Sequence, residues 1–227
     1  MPKCNKKNTN YSEVICVVDR SGSMASVWDD TVGGINEFIK KQKEIPGKAN
    51  LSLVFFDTEY DMPFDGVSVK DRVFDKPMTF ADYAPRGGTA LYDALGKAIN
   101  AANARFEKNK PNKVIMCIVT DGHENSSREF TQESVKKLIE KQTSENDWEF
   151  VYLGANQDAF AVGGGIGIAQ RSCASYAVGT EKAVFSASAC RSLSFCSDVD
   201  DLRSVEEIYS AEVSSTNSTN ESKKEND

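Results

Sequence analysis

Asp19, Ser21 and Ser23 place one carboxylate and two hydroxyls at i, i+2 and i+4 of a single short loop, Asp19-Arg20-Ser21-Gly22-Ser23. These are hard oxygen donors, and Gly22 lets the backbone bend tightly enough for them to surround a small cation. The loop holds no thiol or imidazole, so its chemistry suits magnesium, manganese or calcium rather than zinc. Three donors do not complete an octahedron, and the remaining oxygens have to come from elsewhere in the chain.

The elements that position this loop are legible from their periodicity. It follows Ser12-Glu13-Val14-Ile15-Cys16-Val17-Val18, a β-branched run of strand length that reads as a buried central strand. Trp28, Val32, Ile35 and Ile39 then mark one face of a helix reaching about Lys43, ended by Ile45-Pro46-Gly47. Leu51-Ser52-Leu53-Val54-Phe55-Phe56 is a second strand. Asp57-Thr58-Glu59 is too short for a crossover, so the third strand, around 62–69, is its antiparallel neighbour. Leu91, Leu95, Ala98, Ala102 and Phe106 form the stripe of a second helix. Lys113-Val114-Ile115-Met116-Cys117-Ile118-Val119-Thr120 is a fourth strand and, like the first, it stops at an acid, Asp121-Gly122.

Downstream, Thr131 is the expected N-cap of a helix stapled by Phe130 and Val135, with Val135, Leu138 and Ile139 inward, ending near Thr143. Trp148-Glu149-Phe150-Val151-Tyr152-Leu153 is strand five. A short helix around 158–162, a weak strand over 172–178, a helix capped by Thr180 and running to about Leu193, and an amphipathic piece over 199–209 follow.

This alternation predicts an α/β fold: a Rossmann-like, doubly wound, mostly parallel six-stranded sheet with one antiparallel edge strand. In such sheets ligands sit at the carboxyl ends of the strands, where the strand order reverses. With the first strand central, between the second and the fourth, the reversal falls where Asp19 and Asp121 leave the sheet. Two acids about a hundred residues apart would meet in that crevice.

At 227 residues the chain supports one sizeable domain with tails. The expected division is an N-terminal extension over 1–10, the domain over 11–196, a C-terminal helical extension over 197–213 and a disordered polar tail over 214–227. A net charge of −7, without a long basic run, argues against nucleic acid or an anionic membrane as partner. No segment approaches the ~20 apolar residues of a membrane span. Met1-Pro2-Lys3-Cys4-Asn5-Lys6-Lys7 is basic but leads into polar residues rather than a signal-peptide run, so the expected location is cytoplasmic. The six cysteines, Cys4, Cys16, Cys117, Cys173, Cys190 and Cys196, form no C-x-x-C pair and read as buried thiols rather than a disulfide set. Nothing specifies an oligomeric state.

Taken together, these residues resemble a von Willebrand factor type A domain with an intact metal-ion-dependent adhesion site, over about residues 11–195. That family's site is Asp-x-Ser-x-Ser after the first strand, a Thr in a later loop and an Asp after the fourth strand. Here these fall on Asp19, Ser21 and Ser23, on Thr89 in Gly87-Gly88-Thr89-Ala90-Leu91, and on Asp121. The resemblance implies a divalent cation, Mg2+ first with Mn2+ or Ca2+ as alternatives. It also implies a coordination position left for the Asp or Glu side chain of a protein partner. Gly88, Gly122 and His123 fall at the periphery of such a site.

Other features have simpler readings. Asp29 and Asp30 suit a solvated first helical turn, Asp93 the first turn of its helix, and Gly163-Gly164-Gly165-Ile166-Gly167 a flexible helix end, since it fits neither phosphate-loop pattern. Two other functions compete with the binding module: a Mg2+- or Mn2+-dependent hydrolase or phosphatase at the same crevice, and a structural subunit whose metal locks the fold. Catalysis is not expected. The nearest neutral-pH base is His123, and Arg20-Ser21 stands where aspartyl-phosphate enzymes of the D-x-D type carry a second acid.

Overall fold

Every residue of Tyr11–Asp19 (β1) is buried, and its apolar side chains alternate between two separate clusters, Val14, Cys16 and Val18 on one side and Ile15 and Val17 on the other. That pattern requires a strand covered on both faces. The computed structural model describes residues 11–44, 47–155, 158–177, 180, 183–185, 187–189, 191 and 203–224. The other strands are Lys48–Phe56 (β2), Tyr60–Ser68 (β3), Lys113–Thr120 (β4), Glu149–Ala155 (β5) and Cys173–Tyr176 (β6). They form one sheet in the order β3-β2-β1-β4-β5-β6, antiparallel only between β2 and β3. The fold is the Rossmann-like, doubly wound arrangement expected, with the antiparallel strand at the edge.

Trp28–Gln42 (α1), helical residues 183–185 and 187–189, and Val205–Lys224 (α5) lie on the face of Val14 and Val18, through Ile35, Phe38, Phe185, Val205 and Ile208. Leu91–Phe106 (α2), Gln132–Asn146 (α3) and Ala159–Gly165 (α4) cover the other face through Leu95, Ile99, Val135, Ile139 and Ala159. Thr131 caps α3 as predicted, its hydroxyl accepting from Ser134 N while the Ser134 hydroxyl accepts from Thr131 N.

Gly163, Gly164 and Gly165 form the last turn of α4, a helix end as expected, and a Cβ on Gly163 would sit 2.5 Å from Cys173 Sγ, so glycine here permits close helix packing. Residues 214–224, expected to be a disordered tail, continue α5. Its first turn is fixed by Ser204, whose hydroxyl accepts from Glu207 N while the Glu207 carboxylate accepts from Ser204 N, and by burial of Val205, Ile208 and Tyr209. Once nucleated, a helix extends at little cost even through polar sequence. Cys16, Cys117 and Cys173 are buried thiols, with burial pushing Cys16 up to about 12 and Cys173 up to about 11. Cys4, Cys190, Cys196, Ile45, Pro46, Leu193 and residues 199–202 and 225–227 lie outside the described residues. No described helix is long and apolar enough to cross a membrane.

Candidate metal centre

The parallel register of β1 and β4 sets Val18 beside Val119, which brings Asp19 level with Thr120 at the carboxyl edge of the sheet. Asp19 is fully buried there. Its Oδ2 accepts from Thr120 Oγ1 at 2.6 Å and its Oδ1 from Ser21 N at 2.6 Å. The second bond closes a tight turn that sends the loop back over the end of β4. The Ser21 and Ser23 hydroxyls are 3.0 Å apart, and Ser23 Oγ donates to Asp121 Oδ1 at 2.7 Å.

Thr89 enters from the loop before α2. Its N–H donates to Asn125 Oδ1, and its carbonyl accepts from Asn125 N and Ser126 N, so it is laced to the loop that follows β4. Gly122 shows how closely these groups converge. A Cβ built there would lie 2.8 Å from Thr89 Oγ1, 3.7 Å from Asp19 Oδ2 and 3.8 Å from Ser21 Oγ. The Thr89, Asp19 and Ser21 oxygens therefore border one small space that a side chain at 122 would fill, and the Ser21–Ser23–Asp121 hydrogen bonds tie the other two donors to it.

The electrostatics of that space are unbalanced. Burial, reinforced by the charge of Asp121, pushes Asp19 up to about 6 against the hydrogen bonds from Thr120 and Ser21. Burial also raises Asp121, against its hydrogen bond from Ser23. Among the described residues neither acid has a Lys or Arg ion-pair partner, since the Arg20 side chain turns away to Asp57 and Asp61. Two carboxylates held without a counter-charge, beside three neutral hydroxyls, make a donor set that fits a hard divalent cation. Among the described residues no three His, Cys, Asp or Glu side chains converge in a group that could hold a metal ion, so hydroxyls are an essential part of this set.

The peripheral residues sort differently. Gly88 abuts the Asn125 and Ser126 side chains, 2.7 Å and 2.3 Å from where its Cβ would be, so it too is needed for close approach. His123 is exposed and makes no hydrogen bond or ion pair with the described residues. Asp29 and Asp30 are exposed in the first turn of α1. Asp93 accepts the backbone N–H groups of Arg128, Glu129 and Phe130; burial opposes its ionisation, but those three donors hold its carboxyl below the usual range. It shapes the loop after β4 and contributes nothing to the convergent oxygens.

Sequence reasoning missed Thr120, the donor to Asp19. Its only signal was a polar residue ending an otherwise apolar strand. It also missed Glu124, whose carboxylate accepts from Tyr92 N, Ser126 N and Ser127 N and so ties the start of α2 to the same loop.

A family model described as von Willebrand factor type A domain matches residues 14–123. Among solved structures, proximal thread matrix protein 1 from the mussel byssus aligns with a TM-score of 0.59 at 16% identity, over 82% of this chain and 46% of that one. The same mussel protein was also solved with a zinc occupied MIDAS motif. A von Willebrand factor type A structure from Catenulispora acidiphila gives 0.57 at 14% identity, over 81% of this chain and 43% of that one. The manganese-loaded TRAP protein of Plasmodium vivax gives 0.51 at 20% identity, over 64% of this chain and 57% of that one. The chain thus spans about half the length of these structures. No curated protein matches it. The family model covers just under half of the chain, and the solved structures share its fold.

Proposed function

We propose that this chain is a metal-dependent protein-binding module of the von Willebrand factor type A kind, which captures an Asp or Glu side chain of a protein partner. The observation that carries the reading is the convergence of Asp19, Ser21 and Thr89 oxygens on the missing side chain of Gly122, with Ser23 and Asp121 joined to them by hydrogen bonds. Those five residues would hold the ion, Mg2+ by its hard oxygen preference, with Mn2+ or Ca2+ also suited. When bound, a divalent cation supplies a concentrated positive charge for an anionic oxygen to meet. Asp19 and Asp121 balance at most its own two charges, and the three hydroxyls add none, so affinity for a further carboxylate is preserved. Thr120 and Ser21 N keep the Asp19 oxygens oriented, and Gly122 and Gly88 keep the space open.

The domain family is used mostly for adhesion and interaction rather than catalysis, and no observation favours a hydrolase here: His123, the nearest base in sequence, is exposed and has no hydrogen-bond or ion-pair partner among the described residues. The buried thiols Cys16, Cys117 and Cys173 fit the cytoplasmic location we propose. The test is affinity capture with magnesium or with EDTA. Thr89→Ala and Asp19→Ala should abolish magnesium-dependent capture of a partner with melting temperatures near wild type. Equal recovery from wild type and both variants, with or without EDTA, overturns the proposal. A melting temperature that collapses in EDTA, with no partner lost at permissive temperature, marks the ion as structural instead.

A further inference from the structure

We infer that Arg20, Asp57 and Arg86 form a clamp that fixes the separation of the two donor-bearing loops and thereby the size of ion the site accepts; this rests on the metal-binding reading above. Arg20 sits between two of the donor positions yet sends its side chain away from them. It is 1% exposed, the largest of the fully buried side chains among the described residues. Its Nε donates to Asp57 Oδ2 at 3.1 Å, an Nη donates to Asp61, and its guanidinium lies 5.7 Å over the Tyr83 ring. A guanidinium is costly to bury unless it is paired, and here two of its nitrogens meet carboxylates while its face lies over an aromatic ring.

Asp57, in the β2–β3 turn, is 0% exposed and joins both loops. The Oδ2 that receives Arg20 also receives Arg86 Nε at 2.9 Å, while Oδ1 accepts Glu59 N and the backbone carbonyl accepts Ala90 N at 2.9 Å. Ala90 is the neighbour of Thr89. Backbone bonds repeat the connection: Arg20 N to Phe56 O at 2.8 Å, Arg86 N to Arg20 O at 2.9 Å and Gly22 N to Gly87 O at 3.1 Å. Gly87 has a φ of +67° and its missing Cβ would be 3.0 Å from Thr58 Oγ1, so the second loop is seated on the same turn. The three heavy atoms nearest a Cβ at Gly122 belong to Thr89, Asp19 and Ser21, and none to Arg20, Asp57 or Arg86. They are positioning residues, and Asp57, Asp61 and Glu59 neutralise the two guanidinium groups.

Ion size is the property such a clamp controls. Magnesium demands near-octahedral donors at about 2.0–2.1 Å, whereas calcium accepts irregular shells at about 2.3–2.6 Å. Rigid loops therefore favour the smaller ion, and loosened loops lose it first.

The test uses the full chain, with Mg2+ and Ca2+ dissociation constants measured by competition against Mn2+ followed by electron paramagnetic resonance. Arg86→Gln removes the half-exposed arm of the clamp without leaving a cavity, and Arg20→Lys keeps the charge but loses the fork. Lys137→Gln, which breaks a remote exposed pair with Glu133, is the control. Both clamp variants should weaken Mg2+ binding about tenfold while moving Ca2+ much less. Arg86→Lys should recover part of the difference, and Lys137→Gln should match wild type. A Mg2+/Ca2+ ratio unchanged in folded Arg86→Gln overturns the inference, whether both affinities hold or fall together, and that variant decides alone if Arg20→Lys does not fold. Wild-type chain that displaces no Mn2+ with either ion, and binds none, overturns the metal-binding reading itself.

Discussion

A single hydrogen atom at position 122 separates an open ring of oxygens from a blocked one. Gly122→Ala would place a methyl group 2.8 Å from Thr89 Oγ1 and within 4 Å of Asp19 and Ser21 oxygens. Position 122 is only partly buried, so the fold should tolerate the change, but the donors cannot close around an ion with that methyl among them. The expected outcome is loss of at least about tenfold in Mn2+ affinity with little change in melting temperature; unchanged affinity would mean that the space around Gly122 is not where the ion binds. Thr120 makes a complementary case. Thr120→Val keeps the shape of the side chain and removes the donor to the fully buried Asp19 Oδ2. Leaving that oxygen short of a hydrogen bond should cost about 1–3 kcal/mol in urea unfolding of the metal-free protein. It should also raise Asp19 further, because the Thr120 hydrogen bond is one of the contacts holding it down.

At the scale of elements, β1 carries an acid at each end, and only one faces the candidate centre. Glu13, 0% exposed near the start of β1, accepts from Ser52 Oγ at 2.9 Å and from Arg105, which also pairs with Asp65. Burial raises its pKa above the usual carboxylate range, although Arg105 and the hydrogen bonds from Ser52 and Asn50 oppose the shift. A carboxyl raised by folding contributes stability below its unfolded pKa, and that contribution is lost as pH rises through the folded value. Glu13→Gln should therefore gain on wild type as pH rises from about 4 to about 8, read as the difference in unfolding free energy; a difference flat in pH removes Glu13 as the source. This network also shows what sequence reading reaches and what it does not. The buried runs before Asp19 and Asp121, the tight turn at 57–59 and the Thr131 cap are local patterns, and each element stands where its pattern put it. Arg20 with Asp57, Glu13 with Arg105 and Thr120 with Asp19 join residues 37, 92 and 101 positions apart, so they exist only once strand order and register are set. Asp57 read as one residue of a turn because nothing in its neighbours announces two arginines arriving from elsewhere.

For the whole molecule, the open question of organisation is where the domain ends, and α5 supplies the argument. Ending the domain at residue 196 would leave the helix outside it, yet Val205, Ile208 and Tyr209 sit at 0%, 2% and 8% exposure in the same cluster as Val14 of β1 and Phe38 of α1. The helix also serves the edge strand: Glu206 accepts Ser175 N at 3.1 Å, and the Tyr209 hydroxyl accepts Ala177 N at 3.3 Å. Burying each of those three side chains contributes about 1.5–3 kcal/mol, a large share of the ~5–15 kcal/mol by which a domain is stable. A chain ended before Ser204 should therefore unfold at markedly lower denaturant than the full chain, and Ile208→Ala in the full chain should lose about 2–5 kcal/mol. Both losses should leave Mn2+ affinity unchanged in the protein that remains folded, because α5 packs at the β6 edge while the convergent oxygens lie at the ends of β1 and β4, with β5 between. If the truncated chain is as stable as the full one, the helix is an appendage and the boundary near 196 stands; if it is destabilised, the domain extends through α5.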